Sequence, residues 1–172
     1  VLYSLKNPKS YILNNVRATK SICQISKKYN VEKFIFGSSS SIYGDQKKFP
    51  IKEVFKVNPK NPYAKTKLKS ENLVFSHFNK SKTDFLIFRF FTVYGPFGRP
   101  DMFIHKFLNS IRQNKKINLY NKGYNYRDFT YIDDVLKIFE RAIKFTPKNK
   151  VLNICRSKPV KTTELVKLIE KI

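Results

Sequence analysis

The chain has 172 residues, 41% hydrophobic and 27% charged, with a formal charge of +23. That balance excludes wholesale disorder, and no apolar run approaches the roughly 18 residues of a membrane-spanning helix. Only seven of the 35 basic residues are arginine, the charge is spread along the whole chain, and no helix-turn-helix, zinc-finger or RNP pattern accompanies it, so neither a nucleic-acid nor a membrane partner is expected.

The opening stretch, VLYSLKNPKSYILNN, starts without Met and has no basic-then-apolar leader, so a cytoplasmic location is expected. Residues 10–29 set Ile12, Val16, Ile22, Cys23 and Ile25 on roughly one face, the spacing of a helix. KFIFGSSSSIYG reads as a short apolar strand running into a polar loop. Residues 62–79 form a second helix, opened by Pro62, with Leu68, Leu73 and Phe75 as core candidates. DFLIFRFF, residues 84–91, is a near-continuous apolar run suited to a parallel strand covered on both faces.

Helices alternating with strands predict an α/β fold, a doubly wound parallel sheet. Such sheets bind ligands beyond the carboxyl ends of their strands. Both predicted strands end in candidate site residues there: the serine run after the first, Phe91 and Thr92 after the second.

Beyond Gly95-Pro96 the pattern changes. A helix is expected over 101–114, then a short strand at INLY and the segment NKGYNYRDFTYIDD. Asp133 or Asp134 can cap the helix VLKIFERAIKF. VLNIC reads as another buried strand, and Thr162 or Thr163 opens a last helix. The border near residue 96 divides residues 1–95 from a smaller subdomain, 96–172, with no repeat or flexible linker. Cys23 and Cys155 lack metal-ligand spacing and read as two buried thiols; His105 reads as a helix-surface side chain, and no metal site is expected.

Tyr63 and Lys67 lie four apart on one predicted helix and so share a face. A free phenol titrates near ~10. A cation beside it, helped by an oxidised nicotinamide ring, stabilises phenolate, which can take a proton from a sugar hydroxyl while hydride leaves the same carbon. Alone, the Tyr-x-x-x-Lys spacing is a weak signal. Ser38, Ser39, Ser40 and Ser41 follow a buried strand; such a run is commonly only a turn, yet a hydroxyl at Ser39 could donate to the substrate oxygen and shuttle its proton.

GSSSSIYG, NPYAKTK, RFFTVYGP, GRPDM and RDFTYIDDV occur in an order and at spacings that resemble the extended short-chain dehydrogenase/reductase family, over nearly the whole chain. The resemblance implies a Rossmann-type cofactor domain, partial here over 1–95, and a small C-terminal nucleotide-sugar domain, incomplete over 96–172. It implies NAD as cofactor, a UDP-sugar substrate and a homodimer packed through helices 10–29 and 62–79. By it, Tyr63 is the base, Lys67 holds the nicotinamide ribose, and Ser39 is the hydroxyl partner, a task Ser40 or Ser41 could share. Asn15 and Phe91 match positions lining the cofactor. Arg127 matches the arginine that pairs with the substrate diphosphate; its plainer alternative is a salt bridge to Asp128. Leu119 and Tyr120 match the strand touching the nucleotide base.

Dehydratases of that family carry an acidic residue beside the site Ser/Thr; here Ser40 and Ser41 stand there, so water elimination is disfavoured. TVYGPFGRPDM resembles UDP-glucuronate 4-epimerases more than UDP-glucose 4-epimerases. Oxidation at C4 of a glucuronate creates a β-keto acid that loses carbon dioxide easily, so the carboxylate must be held still. Thr92, Arg99 and the extra serines are suitable clamps, although Arg99 could equally cap its loop. The alternatives are another nucleotide-sugar epimerase or dehydratase, or an inactive binder of sugar nucleotides.

A G-x-x-G-x-x-G turn and an acidic ribose-binding residue should precede these motifs and do not occur in these 172 residues. The sequence is therefore expected to be N-terminally truncated, to bind NAD weakly by itself and to be inactive alone.

Overall fold

The computed structural model describes residues 2–148 and 150–171, apart from the side chains of Leu2 and Tyr120. In chain order the helices are α1 (Leu2–Lys6), α2 (Pro8–Tyr11), α3 (Ala18–Lys28), α4 (Pro62–Phe78), α5 (Phe103–Arg112), α6 (Ile132–Lys144) and α7 (Thr162–Ile169). The strands are β1 (Lys33–Ser39), β2 (Asp84–Phe90), β3 (Thr92–Tyr94), β4 (Tyr126–Arg127), β5 (Phe129–Tyr131), β6 (Val151–Ile154) and β7 (Val160–Lys161). They form two compact units, Val1–Phe90 with Ile138–Ile154, and Phe91–Lys137 with Cys155–Ile172.

The first unit is an α/β fold around a parallel sheet of order β1-β2-β6. Phe34, Phe36 and Ser38 of β1 stand in register with Phe85, Ile87 and Arg89 of β2. The side-chain period of two then divides β2 cleanly. Phe85 and Ile87 join Cys23 of α3 and Val74 and Phe78 of α4 in one core cluster, with Phe34 and Phe36 packed against it. Phe88 and Phe90 face the other way, with the Phe139 ring of α6 at 5.1 and 6.0 Å between centroids. Residues Phe85–Arg89 are all buried, as a strand covered on both faces requires.

The helices occur where the spacing places them, but their faces turn differently. α3 buries Thr19, Cys23 and Ser26, whereas Ile22 and Ile25 are 54% and 56% exposed. α4 buries Ala64, Thr66, Ser70, Glu71, Val74 and Phe78; Leu68 and Leu73 are only half-buried, while Phe75, also half-buried, packs against the core cluster as expected. Small residues win the inner positions because the helices approach closely there, and the sheet's phenylalanines supply the bulk. Lys33 closes the far end of this core by donating from Nζ to the carbonyls of Ala142 and Ile143, at 2.8 and 3.0 Å, in the last turn of α6.

The second unit has shorter pairings: β3 parallel to β5, and β4 antiparallel to β7. INLY is not a strand. No strand pairs with it among the described residues, and the chain turns instead through Tyr120–Gly123, with positive φ at Asn121, Lys122 and Gly123. A Cβ on Gly123 would meet Thr163 Cγ2 at 2.7 Å, so only glycine fits this turn. Asp133 and Asp134 lie inside the first turn of α6 rather than capping it, where their charge still suits the helix dipole. Thr162 is the first residue of α7. Cys23 is buried with its thiol pushed up to about 11 by desolvation, while Cys155 is only half-buried.

Candidate active site

The strand after KFIF is longer than its apolar residues indicate: Ser38 and Ser39 belong to β1, and only Ser40–Tyr43 leave it as a 3-10 turn. Ser39 caps that turn. Its Oγ accepts from the Ser41 amide at 3.2 Å and donates to Ser41 Oγ at 3.1 Å. Ser40 and Ser41 are half-buried. Gly44 ends the turn at φ 64°, where a Cβ would lie 2.1 Å from the Asn58 carbonyl oxygen, so the backbone closes there only without a side chain.

α4 opens opposite this turn. Asn61 accepts from the Ala64 amide at 2.9 Å and Pro62 occupies the first helical position. Tyr63 is half-buried, with its ring edge-on to Tyr11 at 6.0 Å. One turn later the Lys67 ammonium donates to the Gly37 carbonyl at 2.8 Å and lies 5.1 Å over the Phe36 ring. It thus sits at the carboxyl end of the strand carrying Ser39. Desolvation pulls its pKa below the ordinary lysine range, with the Glu71 carboxylate working against that pull.

Asn15 lies in a π-helical turn, Ile12–Arg17, a local widening that frees carbonyls from the α-helical ladder. Its carbonyl accepts from Thr19 Oγ1 at 2.5 Å and from Ser70 Oγ at 3.2 Å, and its amide donates to Thr66 Oγ1 at 2.9 Å. Asn15 is therefore fastened to α4, one turn from Tyr63. Asn15, Ser39, Ser40, Ser41, Tyr63 and Lys67 all belong to the first unit.

Phe91, Thr92, Arg99, Leu119 and Arg127 belong to the second. Phe91 and Leu119 are half-buried; the Tyr120 side chain lies outside the described residues. Thr92 and Arg99 line one cavity of about 300 Å³, together with His105 and Phe103 of α5. His105 is thus half-buried beside a cavity rather than on an open helix surface. The Arg99 guanidinium forks onto Asp101 at 2.9 and 2.6 Å.

Arg127 is exposed at the end of β4, where the ladder to Val160 fixes its backbone. The alternative of a salt bridge to Asp128 is absent. Asp128 is buried and accepts from the amides of Arg156 and Lys158 at 2.7 and 2.9 Å. No carboxylate lies within ion-pairing distance of Arg127 among the described residues.

Comparison with known proteins agrees with these motifs. The model of the NAD-dependent epimerase/dehydratase family matches residues 1–155. The chain belongs to this family. An uncharacterized protein of Methanocaldococcus jannaschii is 41% identical over 99% of the chain and 53% of its own length. The UDP-glucuronic acid 4-epimerase of Bacillus cereus, solved with UDP-glucuronic acid and NAD, is 32% identical at a TM-score of 0.86, over 93% of the chain and 51% of that protein. A UDP-N-acetylglucosamine 4-epimerase of Methanobrevibacter ruminantium, solved with UDP-N-acetylmuramic acid, is 28% identical at a TM-score of 0.92, over 99% of the chain and 56% of that protein. The chain spans about half the length of the relatives it matches.

Four residues that the motifs did not single out also crowd this family site. Ser38 is buried, and its Oγ is without a hydrogen-bond partner among the described residues. Tyr43, Glu71 and Arg89 form one buried polar network. A signal for them existed: an arginine inside DFLIFRFF must find a counter-charge if that strand is buried, and Glu71 follows Lys67 by one helical turn.

Proposed function

We propose that this chain carries the Ser39–Tyr63–Lys67 centre of an NAD-dependent UDP-sugar 4-epimerase, acting on UDP-glucuronate to give UDP-galacturonate through a transient 4-keto sugar. The observation that carries the reading is the Lys67 ammonium, one helical turn from Tyr63 and 2.8 Å from the Gly37 carbonyl at the end of the serine-bearing strand. The first unit then forms the rear of the cofactor domain and the second the nucleotide-sugar subdomain, with Ile138–Ile154 belonging to the first rather than to a subdomain running from 96 to 172.

The donors fit the nicotinamide-ribose end of a dinucleotide: the Lys67 ammonium and the Tyr63 hydroxyl suit ribose hydroxyls, with Asn15 lining the site. When bound, that cofactor supplies reversible hydride transfer at C4. Tyr63 takes the C4 hydroxyl proton, and Lys67 stabilises the phenolate that does so. Ser39 holds the C4 oxygen and relays its proton to the Tyr63 phenolate. After the ring turns over, so that hydride would return to the opposite face of C4, the same groups return the proton to the C4 oxygen. Arg127 grips the diphosphate with a two-point fork, Leu119 meets the base, and Thr92 and Arg99 hold the carboxylate still. For that last task Arg99 must exchange Asp101 for the substrate.

The exposed Ile22 and Ile25 of α3 support a homodimer through α3 and α4. Separate incubation of the full-length protein, with its cofactor, with UDP-glucuronate and UDP-glucose, followed by NMR resolution of the C4 epimers, tests the reading. Appearance of UDP-galacturonate supports it; epimerisation of UDP-glucose alone moves it to the neutral sugar, and no epimer of either rejects it.

A further inference from the structure

We propose that Arg89 is the positioning residue of this centre, clamping the helix that carries Tyr63 and Lys67 and the turn that follows Ser39 to one central strand. The inference rests on the roles proposed above for Ser39, Tyr63 and Lys67. Arg89 sits near the carboxyl end of β2, 7% exposed. Its Nε and Nη2 donate to the two Glu71 carboxylate oxygens at 3.0 and 2.8 Å. Its Nη1 donates to the Tyr43 hydroxyl at 2.8 Å and to the Glu53 carbonyl at 3.3 Å. Tyr43 in turn donates to Asn153 Oδ1 on β6 at 2.8 Å, and the Asn153 amide nitrogens donate to Glu53 Oε1 and the Ile51 carbonyl at 2.8 and 2.9 Å. One guanidinium therefore joins α4, the 3-10 turn, the segment at 51–53 and two strands.

Glu71 and Tyr43 are 2% and 0% exposed. A buried ion pair is a poor way to gain stability, because desolvation offsets most of the attraction and an apolar pair of similar volume commonly does as well. Geometry is what the fork adds. Two parallel hydrogen bonds to Glu71 fix the rotation of α4 about its axis, not only its distance from the sheet. Glu71 is one turn from Lys67 and two from Tyr63, about 12 Å along the axis, so any rotation reaches both. The remaining arm holds Tyr43, the last residue of the turn capped by Ser39. Lysine, a point charge with a flexible stem, can balance Glu71 but cannot hold both partners in the plane of one fork.

The test uses the full natural protein with its cofactor and the UDP-sugar that the parent turns over. Four variants are compared: Tyr43→Phe, Arg89→Lys, the double change Arg89→Met with Glu71→Met, and Phe85→Leu as a destabilised control in the same unit's core. For the first three, kcat should fall by about tenfold or more, since small misplacements of catalytic groups are costly, while KM for the UDP-sugar stays within about twofold. Phe85→Leu should lower the melting temperature and leave kcat near the parent value. The proposal is overturned if the double variant keeps its fold and full kcat, or if Phe85→Leu costs as much turnover at equal loss of melting temperature. Failure of both the single arginine variant and the double variant to fold overturns it too, because the pair is then structural. Tyr63→Phe is measured alongside. Retained turnover in Tyr63→Phe sinks the reading of the centre itself, whereas an inactive Tyr63→Phe with fully active Arg89 variants sinks only the positioning role.

Discussion

The two units solve different problems with different materials. The first encloses a parallel sheet whose central strand is buried from Phe85 to Arg89 and whose polar interior groups are nearly all paired. The second joins two-stranded pairings, buries few large side chains beyond Phe107, Phe129 and Val135, and leaves Arg127 exposed. Proton transfer needs side chains held to within a fraction of an ångström, and a sheet covered on both faces supplies that rigidity. The proposed recognition of a diphosphate needs charge that can adapt, and short strands with exposed cations suit that role.

The comparison can be broken most directly by kinetics. Tyr63→Phe removes the hydroxyl proposed to exchange the C4 proton, so turnover should drop by about 10²- to 10⁴-fold while calorimetry finds UDP-sugar affinity nearly unchanged. Lost affinity with retained turnover would reverse the division of labour. Arg127→Ala should do the opposite: charge-assisted hydrogen bonds worth about 1.5–3 kcal/mol are lost, so UDP-sugar binding weakens by about ten- to a hundred-fold with less change in kcat.

The pH profile sharpens the first unit alone. Desolvation holds Lys67 below the ordinary lysine value, so it loses its proton at a lower pH than a free lysine would. The cation proposed to stabilise a Tyr63 phenolate disappears as pH rises through that lowered value. Turnover should therefore show an alkaline limb below about 10.4, and replacing Glu71 with Gln, which removes the charge opposing the shift, should move the limb further down. A limb that stays put in Glu71→Gln argues against Lys67 as its origin.

Hydrogen exchange compares the units directly: amides of Phe85–Arg89 should exchange several orders of magnitude more slowly than those of β4 and β7, because buried ladders open only with the global transition. The smallest effect is expected at Asp84. Burial raises the pKa of this carboxyl, but hydrogen bonds from Lys150, at 2.6 Å, and Thr146 outweigh it and leave the net pKa lowered. A depressed carboxylate contributes stability that is present above its unfolded value and lost as pH falls through its folded one. Asp84→Asn should thus melt about 2–4 °C lower near neutrality, equivalent to about 1 kcal/mol, with the gap closing in acid.

Much of this was readable before any coordinates. DFLIFRFF announced a strand covered on both faces, and Pro62 marked the start of α4, because burial on two sides and a missing amide leave local traces. INLY misled because a short apolar run becomes a strand only when another strand lies beside it. Ile22 and Ile25 misled because apolar spacing shows that a helix has a face, not which neighbour will cover it. The site divides in the same way. Tyr63 and Lys67 share a helix face by their spacing and stand within an ordered run of family motifs, while Tyr43, Glu71 and Arg89 come together across as many as 46 positions.

Sequence alone settled the alternation of helix and strand, the order of the family motifs and the turn shared by Tyr63 and Lys67, since each is set by residues only a few positions apart. Only the tertiary structure decided which helix faces are buried, that Asp128 turns to the amides of Arg156 and Lys158 and leaves Arg127 without a carboxylate partner among the described residues, and that Arg89 finds Glu71. Those outcomes depend on partners distant in the chain, whose meeting is fixed by packing and by the cost of burying a charge alone.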